Sequence, residues 1–371
     1  MFVRVKTFPI YLVSIAFISQ NPAITTSKVL SPLALKNFLP DPFMLALLFT
    51  LVLATLLPAS GDAAVAVNWL ANITVVLLFF FHGAKLARSA VIAGLTHWRL
   101  HVLVLACTFV MFPVLGLVLS LVFGTALSPA LWTGILFLAA LPSTVQSSIA
   151  FVAIAKGNVP AAVASASASQ VLGVLLTPVL VGLLSGVHGG EVAVSGMGKV
   201  ALLILLPFIV GHLLRPWLQD FITRYKSTIA LTDRATILIA VYSAFSAAVI
   251  EGIWSRLPLP DFAVLFTLCC VMLTFALLFT RTVARKLHFN RADEIVIVFC
   301  GTKKSLVQGV PMARVLFAGP DLGLILLPIM IFHQVQLMVC AVIARSYARS
   351  YAQSYATVDT SRPATGVNKD V

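Results

Sequence analysis

Residues 295–317 read Ile-Val-Ile-Val-Phe-Cys-Gly-Thr-Lys-Lys-Ser-Leu-Val-Gln-Gly-Val-Pro-Met-Ala-Arg-Val-Leu-Phe. The ends, Ile295 to Cys300 and Met312 to Phe317, are mostly apolar, and the run is long enough to cross a hydrocarbon core about 30 Å thick at about 1.5 Å per residue. The centre breaks the pattern with Gly301, Thr302, Lys303, Lys304 and Ser305, then Gln308, Gly309 and Pro311. A lysine at the membrane midplane costs roughly 2.5 to 3.5 kcal/mol on insertion scales, so two adjacent ones face a polar cavity or a protein partner and not lipid. The stretch reads as a membrane helix interrupted in its middle.

The surrounding chain supports a lipid environment. Of its 371 residues, 60% are hydrophobic and 10% charged, a balance no soluble fold could bury. Apolar runs between polar breaks predict ten spans: 42–58, 67–86, 99–123, 130–155, 159–185, 197–219, 232–254, 261–284, 292–317 and 321–345. The formal charge of +13 would suggest nucleic acid in a soluble protein, but here Lys and Arg sit between the apolar runs and act as topology signals. With the amino terminus inside, 20 of the 25 fall on the cytoplasmic side and only Lys199, Arg256 and Arg314 on the other, leaving Lys303 and Lys304 within the ninth span. Both termini are therefore expected in the cytoplasm. Residues 1–37 read as a cytoplasmic or mis-started segment, with an apolar stretch, Phe8 to Ile18, too short to span. Residues 38–345 are expected to form one ten-helix domain and 346–371 a polar cytoplasmic tail. The five cysteines all lie inside apolar runs, without disulfide or zinc spacing, and read as packing residues.

The fourth span carries a second interruption, Leu141-Pro142-Ser143-Thr144-Val145-Gln146-Ser147-Ser148. Pro142 removes a backbone donor and frees carbonyls at membrane depth, where they need polar partners. Spans four and nine are each fourth in a group of five, which predicts two five-helix repeats, 38–185 and 197–345, inverted relative to one another. Broken helices at matching positions of inverted repeats point to a carrier's midplane binding site, because half-helix ends present partial charges. The candidate binding residues are Ser143, Thr144, Gln146, Ser147, Ser148, Ser165, Gln170, Thr302, Lys303, Lys304, Ser305 and Gln308.

These motifs, Cys300 to Leu306 running into Gly309-Val310-Pro311-Met312-Ala313, with Pro142 to Ser148 and Ala155-Lys156-Gly157-Asn158 upstream, resemble the bile acid:sodium symporter superfamily. More narrowly, they are similar to the branch holding the seventh member of the human bile acid carrier family and its bacterial relatives. The resemblance implies an all-α fold of ten transmembrane helices with crossing discontinuous helices, a panel domain and a core domain, and symport of a small organic anion with Na+ as coupling ion. It matches Ser147 and Ser148 to a sodium-coordinating Ser-Asn pair and places Ser165 near a Thr ligand. The classical motif has a carboxylate in the ninth-helix crossover; this chain has Thr302, Lys303, Lys304 and Ser305 there. A lysine could take the place of one sodium or carry a coupling proton.

Other polar residues read as structural. His82, His212 and His333 stand alone, without a matched carboxylate nearby in sequence, and Ser165, Ser167, Ser169 and Gly173 suit close helix packing. Of the remaining amides Gln308, Gln334 and Gln336, only Gln308 lies near a break, and Asp233, Glu251, Asp261, Asp293 and Glu294 fall at span ends within reach of water. No phosphate-binding loop, zinc-protease helix or nucleophile elbow occurs, so the chain is expected to be no enzyme, to need no cofactor, to bind no nucleic acid and to run as a secondary carrier. Two other readings remain: a membrane regulator on a carrier fold, and a proton-coupled or sodium-independent antiporter. A bacterial inner membrane is the expected location.

Overall fold

The computed structural model describes residues 42–85, 97–185, 201–252, 257–317, 319 and 321–360, so the expected amino-terminal segment lies outside the described residues. All regular structure among them is helical. The helices are α1 (Pro42–Leu56), α2 (Gly61–Lys85), α3 (Trp98–Val122), α4 (Pro129–Ala140), α5 (Gln146–Ile154), α6 (Val159–Ser185), α7 (Leu206–Arg224), α8 (Lys226–Ile250), α9 (Leu259–Lys286), α10 (Arg291–Thr302), α11 (Leu306–Leu316) and α12 (Leu322–Thr360). Eight segments are long and apolar enough to cross a membrane, with α10 and α11 counted as one; α1 and α4 are shorter apolar helices. The two interruptions predicted from sequence are present, separating α4 from α5 and α10 from α11. Helix α12 continues past the expected domain end at 345 to Thr360, so no break in helix marks the start of the polar tail.

Two groups of helices result. In one, α2 packs on α7 and α8, and α8 on α1. The crossing of α2 and α7 is reciprocal: a Cβ on Gly83 would overlap the Phe208 carbonyl, and one on Gly211 the Phe80 carbonyl. Without a hydrophobic driving force between helices in lipid, such close backbone approach supplies much of the contact energy. The second group gathers α3, α9 and the broken helices, with α4 against α12, α6 against α10, α3 against α4 and α9 against α10. Nearly all of α10 and α11 is buried, whereas α7 leaves most of its surface exposed, as the lipid side of a bundle requires. Helix α8 joins the groups through contacts with α11 and α12.

Small residues also set the breaks. Gly173 of α6 leaves room for the Pro142 ring, and Gly309 of α11 lies against Leu141 and Ile329. Midway along α3, Cys107–Met111 form a π turn followed directly by Phe112 and Pro113.

Gly83→Leu wedges α2 from α7, an overpacking expected to cost about 1 to 3 kcal/mol. We expect a lower midpoint of thermal unfolding in detergent, with a smaller effect from Gly182→Leu, where a Cβ meets nothing within 4 Å.

Candidate functional site

A break at membrane depth leaves backbone groups that must find partners inside the protein. In the first break four backbone groups find such partners. The Leu141 N–H turns back to the Leu138 carbonyl. Thr177 of α6 donates to the Ala140 carbonyl at 2.9 Å, the Ser143 N–H donates to Ser169 Oγ at 3.0 Å, and the Ser305 N–H donates to the Pro142 carbonyl at 2.9 Å. The last of these ties the two breaks to each other.

The carbonyls of Ala139 and Leu141 are left, and Lys304 takes both. Its buried ammonium donates at 2.8 Å to Ala139, Leu141 and Thr108, using all three of its protons. Thr108 has a free carbonyl because the π turn sends the Phe112 N–H to Cys107 and Pro113 has no N–H to offer. The cation thus sits at the C-terminal end of α4, where the helix dipole is negative, with the Phe112 ring centroid 4.2 Å away. In the second break, the Gln336 amide of α12 binds the Lys304 backbone twice, accepting from its N–H at 3.0 Å and donating to its carbonyl at 2.9 Å. The sequence does not single out Gln336, which lies 32 positions from its partner.

Lys303 has a different fate. It is equally buried, but its ammonium has no hydrogen-bond partner among the described residues and rests 3.9 Å from the Phe151 ring centroid. Thr302 is occupied within its own helix, donating to the Val298 carbonyl at 2.6 Å.

The N-terminal ends of α5 and α11 border a cavity of about 270 Å³ between the two helix groups. From the broken-helix side it is lined by Thr144, Gln146, Ser147, Gln170, Ser305 and Gln308, half of the binding candidates that the sequence suggests. Ser305 caps α11, and Gln308 donates weakly to the Gln170 carbonyl at 3.4 Å. Helix α5 has no side-chain cap, so its first N–H groups face this region uncapped.

Ser143, Ser148 and Ser165 do not line the cavity. Thr144 shares hydrogen bonds with Ser147 at 2.8 Å and Ser148 at 2.9 Å, and Ser148 donates to the Phe299 carbonyl at 3.3 Å. Ser165 is bonded to His101 Nδ1 at 2.7 Å. The three hydroxyls matched to sodium are split between two hydrogen-bonded groups, Ser147 and Ser148 with Thr144 and Ser165 with His101, while the carbonyls of Ala139, Leu141 and Thr108 already hold Lys304.

The opposite wall is built from residues that the sequence alone suggests are structural. His82 and Lys85 of α2 and Asp233 and Arg234 of α8 line the cavity, with His333 of α12. Asp233, expected within reach of water, is only 6% exposed, because Lys85 closes on its Oδ2 at 2.7 Å. Asp293 and Glu294 are likewise buried, Asp293 by Asn158 and Asn290 and Glu294 by Arg285 and Tyr347, pairings that join helix ends. Neither lines the cavity. The one sequence signal at Asp233 is its place, within Thr-Asp-Arg at the start of an apolar run.

A helical bundle with two interrupted, mutually bonded helices and a cavity at their ends has the architecture of a membrane carrier. The chain belongs to the SBF-like CPA transporter family, matched over residues 41–349. It is 56% identical over 313 residues to the Pseudomonas aeruginosa protein PA2026, covering 84% of this chain and 94% of that one. It is 50% identical over 307 residues to the Escherichia coli "Putative symporter YfeH", covering 83% and 92%. With "Sodium/bile acid cotransporter 7" of Rattus norvegicus it shares 27% over 297 residues, 78% and 86% of the two chains.

Removing the Lys304 ammonium strands three buried carbonyls. Lys304→Met is therefore expected to destabilise by about 3 to 5 kcal/mol, as when one partner of a buried charged network is deleted. Lys303→Met leaves no acceptor stranded and should unfold at or above the native midpoint; thermal unfolding of the two purified variants compares them directly.

Proposed function

We propose that the chain is a secondary active transporter that moves a small organic anion across the bacterial inner membrane without sodium, Lys304 standing permanently where a coupling cation would bind. The observation that carries this reading is the ammonium on the carbonyls of Ala139, Leu141 and Thr108, each at 2.8 Å. A sodium ion placed there would meet a fixed positive charge at contact distance.

The proposed architecture is two inverted repeats of five spans. Exchange of the halves maps α2 on α7 to α8 on α1, α4 on α12 to α10 on α6, and α3 on α4 to α9 on α10, and each of these pairs is in contact. Transport is a rocking of the α1, α2, α7, α8 panel against the core that contains both breaks. The cavity carries Lys85 and Arg234, which the charge distribution assigns to the cytoplasm, and this supports reading the conformation as inward-facing in a chain with both termini inside. About 15 Å further along α2, counted from His82 to Asn72 at 1.5 Å per residue, Arg314 of α11 closes the other side. It donates to Asn72 Oδ1 at 3.2 Å, Ser243 Oγ at 2.8 Å and Asn68 Oδ1 at 2.7 Å, fastening core to panel.

The anion binds at the N-terminal ends of α5 and α11, where the uncapped N–H groups of α5 and the positive ends of two helix dipoles meet the cavity. A second reading, proton-coupled exchange, is favoured by one observation: the Lys303 ammonium is buried without a hydrogen-bond partner among the described residues, so a proton could leave it without breaking a network.

Uptake of radiolabelled organic anions into proteoliposomes should be undiminished when choline replaces sodium. A sodium requirement would overturn the sodium-free reading, and no uptake of any anion in either buffer would favour a regulator.

A further inference from the structure

The cavity is not built for a simple anion. Its panel wall places a carboxylate in it: Asp233, whose side chain is 8% exposed, bonds Lys85 through Oδ2 at 2.7 Å, while Oδ1 has no hydrogen-bond partner among the described residues. On the core wall, Gln308, fully buried, leaves Oε1 equally without a donor. Both residues line the same space as the N-terminal ends of α5 and α11. Behind this lining, beside the N–H groups at two helix ends, lie two buried acceptors lacking donors, one of them charged.

A ligand with only acceptor groups would satisfy the helix ends but leave both side-chain oxygens unbonded. A ligand that carries an ammonium beside its carboxylate answers both. We infer that the substrate is an amino-substituted organic acid, its carboxylate at the ends of α5 and α11 and its ammonium donating to Asp233 Oδ1 and Gln308 Oε1. This rests on the carrier reading above and narrows its substrate class. Lys85 then positions Asp233 through Oδ2, and a bound ammonium on Oδ1 completes a carboxylate bridged between two cations.

The test compares three matched pairs on the full chain in nanodiscs, by calorimetric titration: norleucine with hexanoate, glutamate with glutarate, and phenylalanine with 3-phenylpropanoate. The inference expects the amino acid of at least one pair to bind about tenfold or more tightly than its unsubstituted partner, the worth of one charge-assisted hydrogen bond. It further expects Asp233→Asn to erase that preference, with binding of the unsubstituted acid kept or strengthened as evidence that the variant is folded. Equal or tighter binding of the unsubstituted acid in every pair overturns the inference and leaves the anion carrier intact. A preference that survives Asp233→Asn overturns the assigned contact. Binding by no member of any pair overturns the inference and counts against the anion carrier as well.

Discussion

A backbone that stops being helical inside a membrane must settle its own hydrogen bonds, and here one lysine settles the largest share. The first break frees the carbonyls of Ala139 and Leu141, the π turn of α3 frees that of Thr108, and the Lys304 ammonium closes on all three. Helices α3, α4 and α11 are thereby fixed to one another through a single charge. The remaining freed groups are met by α6, through Ser169 and Thr177, and by α12, through Gln336. Each break is repaired in the same way, by the next long helix along the chain, α6 for the first and α12 for the second.

The cavity follows from this arrangement. Once Lys304 neutralises the C-terminal end of α4, the N-terminal ends of α5, which has no side-chain cap, and of α11, capped by Ser305, are left to border the cavity. The panel answers with a mixed wall, Lys85 paired to Asp233 and Arg234 lying over the Phe43 ring at 5.8 Å. Charge is therefore held on the surface of the panel and in the interior of the core, while the core face of the cavity carries hydroxyls and amides.

The two breaks and their flanking helices were legible in the sequence because proline removes a backbone donor and paired lysines cannot face lipid, so an apolar run that contains them must open inside the protein. The different roles of Lys303 and Lys304 were not. Lys303 and Ser305 have extended backbones, so successive side chains leave on opposite sides, Lys303 toward Phe151 of α5 and Lys304 toward Phe112 of α3. Gln336 stayed hidden because its partner is backbone, which carries no sequence signal, and Asp233 because only the crossing of α2 with α8 brings Lys85 to it across 148 positions. Ser165 illustrates the reverse: its place in a small-residue helix was evident, but its engagement by His101 depends on how α3 lies against α6.

That Lys304 substitutes for a coupling cation is tested most directly by sodium itself. Thermal unfolding of the native chain and of Lys304→Ala would be followed across a sodium titration at constant ionic strength, with choline as the balancing ion. The native midpoint should be indifferent to sodium, whereas the variant, with three carbonyls and a cavity in place of the ammonium, should be destabilised in choline and partly restored by sodium. Stabilisation of the native chain by sodium, or a variant as stable as the native chain in choline, would contradict the account.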